Sequence, residues 1–211
     1  MGIAERKERE KARRRNMILD AAERLYFGQG IEATTMDDVA EEAELSKGTL
    51  YLYFKNKDDL SHGIYLRGLT ALKSFFQEAI DSRERGIEKV RAIGEAYFRF
   101  SREHTDYFNS MMQLRPHEID FSDPTTNGMR CHQCGEEVMA IVARAVQIGI
   151  DDGTIRPELD PMKTAFTLWG QSAGIIQILS AQGEHLQSYH GISAEELMRH
   201  SFDMIYHALR A

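Results

Sequence analysis

The amino-acid sequence predicts an all-α protein, and two observations carry that prediction. Every segment with a clear hydrophobic period repeats its apolar residues at the three- and four-residue spacing of a helix, and none shows the strict alternation of a strand. Helix-start signals also recur, in which Ser, Thr or Asp precedes an apolar run and an acid or a proline follows. Since no internal repeat or low-complexity segment interrupts this pattern, we expect helices along all 211 residues.

The N-terminal part is predicted to fold as three consecutive helices. The first covers residues 14–28, in which four apolar residues share one face and the glycines at 28 and 30 end the helix. Thr35 and Asp38 have the spacing of a capping box and begin a second helix of about two turns. After a short break, Ser46 is a good N-cap for a third helix that reaches about Phe54.

The rest of the chain is predicted to form a larger helical body. A long helix begins near Lys57, and Asp160 and Ser193 are the clearest later N-caps. Gly183 is expected to end the helix that Asp160 opens, and residues 115–127 form the longest expected loop. Further helices are expected at about residues 87–102, 104–114, 128–151, 160–182 and 193–210.

The net charge of −7 is unusual for a nucleic-acid-binding protein, but the charge is unevenly distributed. Residues 6–15 carry seven Lys or Arg and two Glu, a local balance of +5. Such a basic arm can follow a phosphate backbone, and a solvated basic tail is the alternative. Residues 1–60 as a whole hold 11 basic and 13 acidic residues. Any affinity for nucleic acid is therefore expected to come from the arm and a few placed lysines, and to be sensitive to salt.

The sequence also excludes several classes of protein. No apolar run approaches the roughly 20 residues of a membrane-spanning helix, and the charged N-terminus does not resemble a signal peptide. We therefore expect a cytoplasmic protein with no membrane partner. Since no phosphate loop, zinc-protease motif or nucleophile paired with a base is visible, we expect neither enzyme activity nor a cofactor.

Residues 14–60 contain the parts of a helix-turn-helix, in which a second short helix presents its first residues to the major groove of DNA. The residues themselves are more specific than this geometry, namely Ile18–Ala22, Thr34–Ala40 and Leu45-Ser-Lys-Gly-Thr-Leu-Tyr-Leu-Tyr-Phe54. This order resembles the DNA-binding domain of the TetR family of transcriptional regulators almost position for position. The resemblance implies an arm and DNA-binding domain in residues 1–56, and a ligand-binding and dimerisation domain in residues 57–211.

The resemblance implies a set of contacts with double-stranded DNA. Thr35, at a helix N-terminus, is expected to offer its hydroxyl and its backbone N–H to a phosphate. Thr49 is expected to reach a base edge, and Tyr53 and Lys57 are expected to reach phosphates. Packing within the protein is the alternative for the tyrosines at 51 and 53. The expected DNA-binding residues are Thr35, Ser46, Lys47, Gly48, Thr49, Tyr51, Tyr53 and Lys57.

One residue departs from the family pattern. Glu44 occupies the turn position at which the TetR family usually has glycine, a residue that readily accepts a positive φ. A non-glycine residue at such a φ costs about 1 kcal/mol, and an acid near DNA adds repulsion. The local geometry of this turn is therefore the part of the motif that the resemblance predicts least well.

The resemblance implies a homodimer that reads the two halves of a palindromic operator, because a single recognition helix binds weakly. We expect the interface on the last two long helices, with the monomer's own core as the alternative. Two glycines four residues apart would weaken the first of these helices unless another helix approached closely. The expected interface residues are Gly170, Gly174, Ile175, Ile178, Phe202 and Ile205.

The predicted helices between residues 87 and 151 are rich in methionine and aromatic residues, which accommodate varied apolar ligands. The resemblance implies that a small, largely apolar effector binds in the body and shifts the helix that begins at Lys57, with repression as the expected mode. Ordinary core packing is the alternative for each residue taken singly. The expected ligand-binding residues are Tyr97, Phe100, His104, Tyr107, Phe108, Met111, Met139, Trp169 and Gln171.

Cys131 and Cys134 are the two cysteines of the chain, and on a helix they share one face. Plain packing is the expected role, and no metal site is expected. The alternative function is a redox- or metal-responsive regulator that uses these thiols with the same DNA-binding head. A structural zinc site would need four ligands, so His117 or a partner chain would have to complete the set.

Overall fold

The computed structural model describes residues 2–113 and 122–211, and within these ranges it contains helices and one isolated β-bridge, between Ile155 and Arg210. The prediction of an all-α fold is confirmed. In chain order the helices are α1 (Ile3–Gln29), α2 (Met36–Glu42), α3 (Lys47–Tyr51), α4 (Lys57–Asp81), α5 (Gly86–Glu103), α6 (Thr105–Gln113), α7 (Asn127–Asp151), α8 (Pro161–His190) and α9 (Ala194–Leu209).

Helix α1 begins at Ile3, so the prediction of a start near residue 14 is wrong and the basic arm is helical. The arm is composed of Arg, Lys, Glu and Ala, which favour a helix without forming an apolar face. Hydrophobic periodicity therefore cannot detect this part of the helix. A Glu5 carboxylate oxygen accepts a hydrogen bond from the Gly2 backbone N–H at 2.9 Å. Gly30, with a φ of 89°, ends the helix as predicted.

Capping residues locate the later helix starts well, whereas one glycine misplaces a helix end. The Asp160 and Ser193 side chains accept the backbone N–H groups three residues on, as an N-cap should. Helix α8, however, continues through Gly183 and ends at Gly191, which adopts the left-handed conformation with a φ of 66°. A glycine inside a helix costs only about 1 kcal/mol, and the good helix formers around Gly183 outweigh that cost.

The described residues pack as two compact units. The N-terminal unit comprises Met1–Gly68 and Asn109–Gln133, and the C-terminal unit comprises Leu69–Phe108 and Cys134–Ala211. Helices α4 and α7 each contribute residues to both units. The expected boundary at residue 57 separates the DNA-binding part of the chain from the ligand-binding and dimerisation part. It divides the chain by function and stays a prediction. The expected loop at 115–127 falls mostly outside the described residues, and α7 begins at Asn127.

Each unit has its own core. In the N-terminal unit, Ile18, Leu50 and Phe54 are almost fully buried, so Leu50 and Phe54 face inward. In the C-terminal unit, α5 and α7 approach so closely that a Cβ on Gly86 would lie 2.0 Å from the backbone nitrogen of Gly149. Within the described ranges, every helix is too short or too polar to cross a membrane.

Candidate functional site

The turn between α2 and α3 has the backbone geometry that suits glycine, although Glu44 occupies it. Glu44 has a φ of 54°, so it occupies the left-handed conformation that a glycine would adopt without strain. The Leu45 backbone N–H donates to the Ala40 carbonyl at 2.9 Å, and the Glu44 N–H donates to the Glu41 carbonyl at 2.9 Å. This is the hydrogen-bond pattern of a Schellman motif. The helix-turn-helix therefore keeps its backbone geometry despite the departure at Glu44.

Helix α3 presents its first residues to solvent. The Ser46 Oγ caps it by accepting the Thr49 backbone N–H at 3.2 Å, and a Cβ added to Gly48 would meet nothing within 4 Å. Lys47 is exposed and pairs with Asp37 at 2.7 Å, and this hydrogen bond raises the pKa of Lys47 above its ordinary value. A phosphate would therefore compete with the Asp37 carboxylate for Lys47.

The predicted phosphate donors are partly engaged within the protein itself. The Thr35 hydroxyl oxygen accepts the Asp38 backbone N–H at 3.2 Å, and the Thr35 N–H donates to the Asp38 carboxylate at 2.8 Å. Both the backbone and the side chain of Thr35 hydrogen-bond the Asp38 carboxylate and lower its pKa, so a phosphate would compete with Asp38 for both donors. Lys57 donates from Nζ to the Glu32 carbonyl at 3.3 Å, a long bond that a phosphate could replace.

The end of α3 carries an exposed apolar residue that sequence reasoning missed. The helix ends at Tyr51 and not near Phe54 as predicted. Leu52 is 81% exposed and Tyr51 is 44% exposed, while Tyr53 is half-buried. The spacing of the buried residues Leu50 and Phe54 was a signal for this exposure, because it leaves the side chains between them facing outward.

The basic arm is an exposed helical surface with one exception. Six of its seven Lys and Arg residues are exposed, and Arg15 is half-buried. The Arg15 Nη2 donates to the Asn127 Oδ1 at 2.6 Å, and its guanidinium lies 5.0 Å from the centre of the Phe54 ring. Farther along α1, Asp20 and Glu23 both pair with Arg67 of α4, at 2.7 and 2.9 Å.

The predicted effector residues include a buried aromatic cluster in the C-terminal unit. Tyr97, Phe100 and Phe108 are at most 3% exposed, and the Tyr97 and Phe108 rings are 5.5 Å apart between centres. His104 packs on Phe100 at 5.2 Å. Burial raises the pKa of Tyr97 to about 12, and a hydrogen bond with the Trp169 side chain opposes that shift. The Tyr97, Phe100 and Phe108 rings form an apolar cluster, and the Tyr97 hydroxyl is the one polar group among these three side chains.

Two aromatic residues of α4 extend this cluster, and they are not among the expected ligand-binding residues. Phe75 lies 5.5 Å from Phe100, and Phe76 lies 5.9 Å from Tyr97. The other predicted effector residues are more scattered. Met139 is buried, Tyr107 is half-buried, Gln171 is exposed, and Met111 is half-buried within the N-terminal unit.

The predicted dimer interface includes open glycines on α8. A Cβ on either Gly170 or Gly174 would meet nothing within 4 Å among residues 2–113 and 122–211, so these residues give no packing reason for the two glycines. Ile178 is 47% exposed, whereas Ile175 and Ile205 are half-buried. Phe202 differs from the rest, because its ring would lie 2.8 Å from a Cβ on Gly94 and so packs within its own chain. Other exposed apolar side chains of α8 and α9 are Met162, Phe166, Trp169 and Met204.

The two cysteines are buried free thiols. The Cys131 thiol donates to the His62 carbonyl at 3.0 Å, and burial raises the pKa of Cys134 above its ordinary value. A raised pKa leaves less thiolate, the reactive form. Among the described residues, no three His, Cys, Asp or Glu are grouped to hold a metal ion, and His117 lies outside those residues. This geometry favours packing over redox or metal sensing.

Comparison with known proteins gives matches along most of the chain. Residues 18–64 match the family of bacterial regulatory proteins named after TetR, and residues 90–205 match the tetracyclin repressor-like C-terminal domain. The HTH-type transcriptional regulator YhgD of Bacillus subtilis is 30% identical over 74% of this chain and 78% of its own length. The HTH-type transcriptional repressor KstR2 of Mycolicibacterium smegmatis is 25% identical over 71% of each chain.

A solved structure shares the fold across nearly the whole chain. The transcriptional regulator FadR of Bacillus subtilis, in complex with stearoyl-CoA, superposes with a TM-score of 0.69 at 18% identity. The match covers 90% of this chain and 96% of that one.

Proposed function

This chain belongs to the TetR family of bacterial transcriptional regulators, and from that premise we propose that it is a repressor that binds a palindromic operator as a dimer and is released by a small apolar effector. The family makes it a ligand-responsive, DNA-binding regulator of transcription. The observation that carries the proposal is α3 itself. It is capped by Ser46 and anchored by the buried Leu50, and it leaves Gly48 and Tyr51 open to solvent.

On DNA, α3 lies in the major groove with Gly48 and Thr49 nearest the base edges. The absence of a side chain at Gly48 lets the backbone approach closely, and the Thr49 methyl and hydroxyl can contact either a thymine methyl or a polar base atom. The Tyr53 hydroxyl and Lys57 bind phosphates on the flanks and fix the register of the helix. Lys47 leaves Asp37 for a phosphate, which adds to the salt dependence of binding.

Dimerisation is supported by a face of α8 that the described part of the chain leaves uncovered. Gly170 and Gly174 stand on that helix with open space where side chains would be, and this suits the close approach of a second helix. The exposed aromatic side chains Phe166 and Trp169 lie on the same helix and would lose their contact with water in a dimer. Two recognition helices then read half-sites about one turn of DNA apart.

The effector binds by opening the aromatic cluster of the C-terminal unit. Tyr97, Phe100 and Phe108 are packed together, so an apolar ligand must separate them and bind the separated state more tightly. The Tyr97 hydroxyl supplies one polar contact. The stearoyl-CoA bound to the FadR of Bacillus subtilis makes acyl thioesters of coenzyme A the first class to test, and the name of KstR2 as a repressor supports repression here.

The DNA-binding proposal is tested by fluorescence anisotropy with the DNA upstream of the chain's own gene. Tyr53→Phe removes only the hydroxyl and is expected to weaken binding by about tenfold, since a hydrogen bond to a charged group contributes roughly 1.5–3 kcal/mol. Tyr189→Phe makes the same change at a residue that is 79% exposed on α8, and it should leave the affinity unchanged. Equal affinities for both variants, or no binding by the wild type at low salt, would overturn the proposal.

The effector proposal is tested by adding stearoyl-CoA to the protein–DNA complex and following release. Stearoyl-CoA should release the DNA and free coenzyme A should not, because the acyl chain is the part that enters the apolar cluster. Tyr97→Phe is expected to raise the stearoyl-CoA concentration needed, and Tyr189→Phe serves again as the control. Native mass spectrometry of the purified chain detects any apolar molecule that stays bound. Release by free coenzyme A at the same concentration would contradict the proposed mode.

A further inference from the structure

The N-terminal unit contains a cavity of about 320 Å³ beside the end of α3, and the proposed function assigns it no ligand. It is lined by side chains from α1, from the segment between α3 and α4, and from the start of α7. Four of the lining residues are basic, namely Lys11, Arg15, Lys55 and Arg130, and one is acidic, Asp59. Its volume falls in the range of sites that hold small molecules.

The acidic residue is already engaged by the backbone. One Asp59 carboxylate oxygen accepts the Lys55 N–H at 3.1 Å, and the other accepts the Asn127 backbone N–H at 3.2 Å and its side-chain amide at 2.9 Å. Lys55 in turn pairs through Nζ with Asp123 at 2.6 Å. The negative charges near the cavity therefore serve to fix the turn before α4 and the start of α7.

The other three basic residues of the lining form no ion pair with any residue that the structure describes. Among the residues that the structure describes, neither Lys11 nor Arg130 has a carboxylate within 4.0 Å, and Arg15 is bound to the neutral Asn127 amide. Arg15 also lies over the Phe54 ring, so its guanidinium is held in one orientation. Burial lowers the pKa of Arg15 and the charge of Arg130 lowers it further, while the Asp59 carboxylate opposes both effects. Both effects would be offset by an anion between the two guanidiniums.

We propose that this cavity binds the phosphate group of a small phosphate-bearing molecule, with Arg15 and Arg130 as its principal ligands and Lys11 at its mouth. Two guanidiniums match phosphate oxygens in geometry and charge better than they match any other common anion. Because Tyr51 and Tyr53 also line the cavity, its occupant lies against the end of the recognition helix. An occupied cavity therefore lowers the affinity for DNA, and this regulatory part rests on the proposed function whereas the binding part does not.

Binding is tested by titrating the full chain, without DNA, with inorganic pyrophosphate and with ADP in a calorimeter at low ionic strength. We expect one site per chain and an affinity about tenfold lower in Arg130→Gln, since a charge-assisted hydrogen bond is lost. Arg14→Gln removes the same charge from an exposed position on α1 outside the cavity, and it should leave the affinity unchanged. A preference for ADP over pyrophosphate identifies an organic phosphate, and equal affinities identify a free one.

Three results would overturn the proposal. The first is that neither pyrophosphate nor ADP binds. The second is that Arg14→Gln and Arg130→Gln weaken binding equally, which indicates the diffuse charge of the arm. The third is that neither phosphate binds and that Arg130→Gln makes the plot of log affinity for DNA against log salt concentration less steep by about one unit. That result would show that the cavity binds a phosphate of the DNA backbone.

Competition with DNA is measured separately, by anisotropy. Pyrophosphate should weaken the wild-type complex, and about ten times as much should be needed to weaken that of Arg130→Gln to the same extent. Binding that leaves the DNA affinity of the wild type unchanged overturns the regulatory part. If the wild type binds no DNA at all, the proposed function fails, while the calorimetric titration still decides whether the cavity binds phosphate.

Discussion

Replacement of Glu44 by glycine is expected to stabilise the helix-turn-helix. Glu44 holds the left-handed position of a Schellman motif with a φ of 54°, and within the described residues its side chain makes no hydrogen bond or ion pair. A non-glycine residue in this conformation costs about 1–2 kcal/mol. Glycine also loses more freedom on folding, which offsets about 0.4–1 kcal/mol. The net gain is about 0.5–1 kcal/mol, or a rise in Tm of about 1–4 °C for a chain of this size.

The matched variant is Glu44→Ala, which removes the same charge and keeps the strained backbone. Both variants are compared with the wild type by thermal unfolding followed by circular dichroism, and by DNA anisotropy at low and moderate salt. Glu44→Gly should have the highest Tm of the three. Both variants should bind DNA more tightly than the wild type by the same factor, and that gain should shrink as salt rises. If Glu44→Gly melts at or below Glu44→Ala, the backbone at this turn is not strained and the reasoning is refuted.

Three other predictions concern single residues in the described helices. Gly86→Ala should lower the free energy of unfolding in urea by about 1–3 kcal/mol, because its Cβ would collide with the α7 backbone at Gly149. Gly135→Ala, at an open position of α7, should not destabilise the protein. Equal urea midpoints for the two variants would contradict the close packing of α5 on α7. Gly170→Leu should leave the monomer folded and weaken the dimer in analytical ultracentrifugation. Gly135→Leu is the control, and equally stable dimers in the two variants would exclude the Gly170 face of α8 as the interface. The Thr35 backbone N–H holds the pKa of Asp38 below its ordinary value, so its contribution to stability is present above the unfolded value of about 3.9 and is lost as the pH falls. The stability of Asp38→Asn should therefore depend less on pH between about 5 and 3 than that of the wild type, and parallel curves would contradict it.

Local signals in the sequence predicted helix starts better than helix ends. Thr35, Ser46, Asp160 and Ser193 all cap helices, because a capping hydrogen bond involves only neighbouring residues. The end of α8 was misplaced at Gly183, since a glycine stops a helix only where the chain must turn, and that need is set by packing elsewhere. The helical arm was missed because an exposed helix has no apolar face to reveal it.

The candidate site was predictable where it depends on the backbone and less so where it depends on distant partners. The turn at Glu44, which the resemblance predicted least well, keeps the glycine-like conformation of the family pattern. The capping-box spacing did predict that Asp38 binds Thr35. The family pattern did not predict that Asp37 pairs with Lys47. Nor could sequence spacing place Arg15 beside Asn127, more than 100 residues away in the chain, because such contacts exist only in the folded protein.

The most direct test of the central claim is a hydroxyl-radical footprint of the DNA upstream of the chain's own gene, taken with and without stearoyl-CoA. A dimer with two recognition helices should protect two patches related by two-fold symmetry, with centres about 10 base pairs or a multiple apart. Both patches should disappear together when stearoyl-CoA is added. A single asymmetric patch, or no protection at low salt, would contradict the proposal that this chain reads DNA as a dimer through α3.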